Sequence, residues 1–290
     1  MERVVVPPNV QADADRIARE ALAEDGPRDV TSELTVPPQL TGSALIEFRS
    51  AGIVAGLPYA DAVAEECGLS RIRWDVREGD RLFSQAVIGA MEGSLRAILR
   101  AERPLLNLLQ RASGIATLTR MYVDAVEGTD ARILHTRKTA PGLRLFDVYA
   151  VLAGGGSRHR VDLASEVMVK DNHWRALEKT EVPLVDVIRQ GRVRGVTRYH
   201  IEVENVKQLE MACEAGATRL LIDNQVAEIV RAWTRVARSL APAIEIEASG
   251  GIDLTNVRAY AEAGVDYISV GALTHSPKAA DVGLEVVSRN

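Results

Sequence analysis

The sequence predicts an α/β protein in two parts, a small α+β domain followed by an α/β barrel or most of one. Two observations predict it. Residues 41–92 read as short β-like runs broken by glycine and charge, with one helical piece among them. Beyond about residue 110 the pattern changes. At least six β-like runs then alternate with helix-like runs at roughly 20–30-residue spacing, which is how βα units around a parallel sheet are written.

Taken in order, residues 11–24 place Ile17, Ala18, Ala21 and Leu22 on one stripe of an amphipathic helix. Glu24–Glu33 is turn-rich and charged. ALIEF, GIVAG, IRWDV and AVIGAM supply the strands of the first domain, and Tyr59–Glu66 its interrupting helix. Ala97–Val126 is helical, with Leu105, Leu108, Leu109 and Ala112 at three- and four-residue intervals and Pro104 where a helix could begin. The domain boundary is expected within this stretch. ARILHTRKT, SEVMVKDNH, RYHIEVEN, TRLLIDN, AIEIEASGG and VDYISVGA are then the strands of the second part. Gly154–Gly156 follows a helix and reads as its stop, since GxxxxGK[ST] and GxGxxG are both absent.

Composition narrows the function. The chain has 290 residues, 47% hydrophobic and 26% charged, enough to bury a core and unlike a disordered or fibrous chain. Its net charge is −5, so it has no overall pull toward nucleic acid or anionic membrane. No apolar run is long enough to span a bilayer. Cys67 and Cys213 are isolated, form no metal-ligand spacing and suit a reducing cytoplasm, which is the expected location.

In a βα barrel the chemistry sits at the carboxyl ends of the strands. Those ends read Arg137 and Lys138, Lys170 and Asp171, Glu204, Asp223, Ser249-Gly250-Gly251 and Gly271. Cations and carboxylates around one mouth suit an anionic substrate handled with a divalent cation. Between Arg132 and Arg175 there are eight Lys/Arg against four Asp/Glu, a local excess within an acidic chain. His159, between Arg158 and Arg160, is the better histidine candidate, whereas His200 reads as a satisfied core residue. Glu204 and Asp223 either hold Mg²⁺ through oxygen or cap the helices that follow; the pattern leaves both open. Glu202, two residues before Glu204, also faces inward by the period of two, one layer deeper. The glycines of ASGGID and SVGALTHS on adjacent strands let the backbone approach a phosphate.

ERPLLNLLQRASGIAT, TRKTAPGLR, GGGSRHRVDL, VMVKDNH, IEVEN, LLIDN, EASGGI and DYISVGALTHS together resemble the quinolinate phosphoribosyltransferases, from about Ile17 to Leu284. The resemblance implies an N-terminal α/β sandwich domain, residues 1–110 joined by the C-terminal tail 276–290, and an incomplete parallel α/β barrel over 111–275. It implies transfer from phosphoribosyl pyrophosphate to quinolinate with loss of CO₂, assisted by Mg²⁺. It also implies a homodimer or higher oligomer in which Arg103 reaches the neighbouring site. Thr136, Arg137, Lys138, His159, Arg160 and Lys170 match the quinolinate-binding groups. Glu204 and Asp223 match the carboxylates near ribose and Mg²⁺, held directly or through substrate or water. Ser249, Gly250, Gly251, Val270, Gly271 and Ala272 match the phosphate-holding loops. Lys138, Lys170, Glu204 and Asp223 are the catalytic candidates.

Two flanking positions depart from that pattern: His135 stands where an acid is common, and Arg158 where asparagine is frequent. Two other readings compete. A related transferase of the kind associated with molybdate genes would act on another aromatic acid, and a phosphate-ligand sensor would bind without turnover.

Overall fold

The computed structural model describes residues 9–287, which form two compact units. The first gathers residues up to 120, residues 139–155 and residues from 273 onward; the second holds 121–138 and 156–272. Residues 139–155 thus cluster with the first unit although they fall inside the span 111–275 expected for the barrel.

The first unit opens with α1 (Val10–Glu24), whose Ala14, Ile17, Ala18 and Leu22 are buried. Within the charged turn region lies a short α2 (Val30–Thr35), capped by the Asp29 side chain accepting from Ser32 N–H. Then come β1 (Thr41–Phe48), β2 (Gly52–Ile53), α3 (Leu57–Glu66), β3 (Arg73–Trp74), β4 (Arg81–Leu82) and β5 (Ala86–Ser94). β5 runs directly into α4 (Leu95–Ala125), so Pro104 sits inside that helix rather than at its start. A proline there removes one backbone donor, which the 31-residue helix tolerates among buried neighbours Leu105, Leu106, Leu108 and Leu109.

This unit's main sheet has the order β12-β1-β5-β3, where β12 (Val282–Val287) pairs antiparallel with β1 from Ser43↔Val287 to Phe48↔Val282. The segment before β12 lies hard against α4. Ala280 N–H donates to the Gln110 carbonyl at 2.9 Å, and a Cβ on Gly114 would stand 2.2 Å from the Lys278 oxygen. Tyr59 of α3 packs edge-on against Phe146 and Tyr149 of α5 (Arg144–Ala153) and donates to Asp13 at 3.1 Å. Asp147 of α5 is wholly buried and accepts both arms of the Arg111 guanidinium, at 2.9 and 2.8 Å.

The second unit is built on one parallel sheet of six strands in the order β6-β11-β10-β9-β8-β7. They are β6 (Arg132–Leu134), β7 (Val167–Val169), β8 (Tyr199–Val203), β9 (Arg219–Asp223), β10 (Glu245–Ser249) and β11 (Tyr267–Ser269). The helices between them are α6 (Asp171–Thr180), α7 (Leu184–Val193), α8 (Val206–Ala215), α9 (Ala227–Leu240) and α10 (Val257–Glu262), with a short α11 (Ala272–His275) closing the series. A parallel sheet whose two edge strands are not paired with each other is an incomplete barrel. Among the described residues no helix is long and apolar enough to cross a membrane.

The two faces of this sheet differ. In-register rows such as Ile201, Leu220 and Ile246, then Val203, Ile222, Ala248 and Ile268, are aliphatic and buried. Alternate rows carry His200, Arg219 and Glu245, then Glu202, Leu221 and Glu247. The strand interiors are therefore not uniformly apolar: with a side-chain period of two, one face is greasy and the other ionic.

Candidate active site

Above the ionic face lies a cavity of about 380 Å³. Its lining takes Thr136, Arg137 and Lys138 from the loop after β6, His159 and Arg160 from the segment before β7, and Lys170 from the end of β7. Asp223 and Ser249 end β9 and β10, and stand opposite each other in the parallel register. His135, Met168, Leu221 and Glu247 complete the floor. Arg137, Lys138, Lys170 and Asp223 thus meet around one space because in-register parallel strands deliver their carboxyl ends to one rim, and Arg160 joins them from the segment before β7.

Glu204 is not brought into this cavity. β8 ends at Val203, and the chain turns out so that Asn205 can cap α8 by accepting from Gln208 N–H at 2.9 Å. Glu204 is exposed in that turn. Neither Glu204 nor Asp223 caps a helix: the caps are Asn205 for α8 and Val226 for α9. The carboxylate that meets Lys170 is Glu202, 2.5 Å from its Nζ, while its other oxygen accepts the Asp171 N–H at 3.2 Å. Gly250, Gly251, Val270, Gly271 and Ala272 do not line the cavity; the first four lie in the loops that follow β10 and β11, and Ala272 opens α11. Arg103 belongs to the other unit, where it is exposed on α4.

The cavity's charges are unevenly matched. Burial and then the nearby Arg137 lower the Arg160 guanidinium below its ordinary value. The buried Nε of Arg137 has no hydrogen-bond partner. Burial and then the Glu202 carboxylate raise Asp223 above the ordinary range, against the pull of Lys170 and Lys138. Two carboxylates lean on each other while guanidiniums lean on each other a short way off. An anion relieves the second crowding and a cation the first.

Beneath them is a buried polar layer that the sequence reading did not single out. Glu247 is completely buried. It accepts from the Ser269 hydroxyl, from Arg219 at 3.1 Å, and faces His159 Nε2 at 3.3 Å. Arg219 also holds Glu245 and stacks its guanidinium on Tyr267, 3.9 Å from the ring centroid. His200 is buried but unsatisfied: neither ring nitrogen has a hydrogen bond, although Glu166 lies 3.3 Å from Nε2. The signal for this layer is in the sequence as alternation, HxExE, RxLxD and ExExS on three successive strands.

Comparison with known proteins agrees in one direction. The family model of the quinolinate phosphoribosyl transferase N-terminal domain matches residues 29–113, and that of the C-terminal domain residues 115–285. Quinolinate phosphoribosyltransferase (decarboxylating) 1b of Nicotiana tabacum is 38% identical, over 98% of this chain and 85% of that protein. The carboxylating nicotinate-nucleotide pyrophosphorylase of Mycobacterium leprae is also 38% identical, over 92% of this chain and 95% of its own. The solved nicotinate-nucleotide pyrophosphorylase of Francisella tularensis superposes with a TM-score of 0.87 at 32% identity, covering 98% of both chains.

Proposed function

Because the chain belongs to the quinolinate phosphoribosyltransferase family, we propose that the cavity over the ionic face of its parallel sheet is where that family's reaction takes place. The activity is transfer of the phosphoribosyl group from phosphoribosyl pyrophosphate to quinolinate with decarboxylation, giving nicotinate mononucleotide, pyrophosphate and CO₂ for NAD synthesis. The observation that carries the assignment of the site is the convergence of Arg137, Lys138, Arg160 and Lys170 on one partly buried space beside Asp223.

Quinolinate is a dianion, and planar carboxylates match the guanidinium forks of Arg137 and Arg160. Lys138 and Lys170 add mobile positive charge. Leaving of pyrophosphate builds oxocarbenium character at the ribose, which Asp223 and Glu202 oppose electrostatically. The pyridine nitrogen attacks that carbon and becomes cationic. Loss of the adjacent carboxylate as CO₂ leaves its electron pair on the ring carbon, stabilised by the neighbouring pyridinium nitrogen, and a proton taken up at that carbon, from solvent or from one of the lysines lining the cavity, completes nicotinate mononucleotide.

A divalent cation such as Mg²⁺ fits the oxygen donors here, since Asp223 is raised by burial and by the charge of Glu202. When bound it neutralises charge on the pyrophosphate. Asp223 would hold it, directly or through substrate or water, with Glu202 close by. Arg103, exposed on α4 and without an ion pair among the described residues, is available to the site of a second copy in a homodimer.

The test is CO₂ release from quinolinate carboxyl-labelled at position 2. Release that requires phosphoribosyl pyrophosphate and Mg²⁺ supports the reading. Binding without release, or turnover of nicotinate in place of quinolinate, overturns it.

A further inference from the structure

We propose that Glu247 is a positioning residue of the cavity: by accepting from His159 Nε2–H it fixes that imidazole in one tautomer and one orientation, and His159 in turn holds the backbone of Arg160. The inference rests on the reading that Arg160 meets a substrate carboxylate.

The hydrogen bonds leave the imidazoles little choice. His159 Nδ1 lies 2.8 Å from the Arg160 N–H, a group that can only donate, so Nδ1 is the unprotonated nitrogen. The proton of neutral His159 is then on Nε2, which faces Glu247 Oε1 at 3.3 Å. His135 repeats the logic in mirror image. Its Nε2 accepts the His159 N–H at 3.0 Å, and its Nδ1 faces the Thr136 carbonyl at 3.2 Å, which can only accept. A chain of fixed donors and acceptors therefore runs from the Thr136 carbonyl through His135 and His159 to Glu247. It joins the Thr136–Lys138 loop to the His159–Arg160 segment, the two loops that carry guanidiniums into the cavity. His135, a departure from the family pattern, acquires a task here.

The same groups could suggest a metal site, because ligand atoms of His159, His200 and Glu247 lie within 4.8 Å of one another. His200 has unengaged ring nitrogens, but the other two groups are committed to protein partners. Glu247 Oε1 already serves Ser269 and His159, its Oε2 serves Arg219, and His159 Nε2 carries the proton that faces the carboxylate. A hydrogen-bonded relay accounts for these contacts without an ion.

Glu247→Gln keeps the shape but offers one acceptor and one NH₂ to three donors, so at least one donor is opposed. The expected result is a KM for quinolinate raised about tenfold, the loss of roughly one well-formed hydrogen bond's worth of alignment. The KM for phosphoribosyl pyrophosphate should stay within about twofold. Ser269→Ala removes a donor from Glu247 but spares the His159 contact, and should leave both KM values near wild type. Should Glu247→Gln not fold, the wild-type enzyme decides alone. Two-bond ¹H–¹⁵N spectra of its imidazoles should show His159 protonated on Nε2 only, whatever the substrate proves to be. His159 protonated on Nδ1 would sink the proposal. So would an unchanged quinolinate KM in folded Glu247→Gln, or stoichiometric zinc in the purified enzyme that His200→Ala abolishes. Failure of the wild type to turn over quinolinate would instead overturn the assignment of function and leave the tautomer measurement standing.

Discussion

Lys170 and its carboxylate partner show how much hangs on where a strand stops. IEVE offers two inward glutamates at a spacing of two, and the pattern alone does not say which one the rim receives. The structure ends β8 at Val203, which leaves Glu202 beside Lys170 and Glu204 in solvent. Glu202→Gln is accordingly expected to lower kcat/KM by about 100-fold or more, in the range that loss of one preorganised charge produces. Glu204→Gln should stay within a few-fold. Steady-state kinetics on the pair decides, and equal losses would contradict the geometry. Lys138→Ala should cost about as much as Glu202→Gln, with an unchanged circular dichroism spectrum. The cations were legible because Arg137, Lys138 and Lys170 each follow an unmistakable apolar run. Glu247 was not, because a glutamate inside a strand of a buried sheet looks like an outward-facing residue until its partners on neighbouring strands are known.

At the scale of elements, the alternation of βα units was readable from period and spacing, and the six parallel strands follow it. Boundaries were less readable. β5 passes straight into α4 with no break at Pro104, since a proline's cost to a long, well-buried helix is smaller than the gain from continuing it. The turn-rich stretch hides α2, whose six residues are too few to show a period. The loops after the strands are held by local devices that can be tested. Asn205→Ala removes the cap of α8 and should cost about 1 kcal/mol of unfolding free energy in urea titration. Gly250 has φ of +86°, and a Cβ there would meet Asn224 Oδ1 at 2.2 Å. Gly250→Ala should therefore destabilise by about 1–3 kcal/mol and displace the Ser249 end of β10, lowering turnover as well as melting temperature. A variant that melts like wild type would show that the loop relaxes freely.

Across the whole molecule, buried neutral histidines set a limit at acid pH. Burial pushes His135 down to about 4 and His200 down to about 3. In the unfolded chain both take up protons near pH 6.5, so below that value protons favour unfolding until each folded value is reached. Stability from this source is complete above pH 6.5 and declines as pH falls. Together the two should cost roughly 2–3 kcal/mol between pH 6 and pH 5. His200→Leu should recover about half of that loss, read as a shallower fall of melting temperature with pH, and parallel curves would exclude His200 as a source.

The pairing of β12 with β1 carries its own consequence for how the protein is made. A ribosome finishes the first strand of this sheet long before it reaches the residues that cover that strand's flank. Throughout synthesis of the intervening parallel sheet, the nascent chain must carry a bare β edge, the kind of surface that invites pairing with another copy. Truncation before residue 282 would make that transient exposure permanent, so a late stop codon should yield insoluble product even though every group lining the cavity over the parallel sheet has been translated.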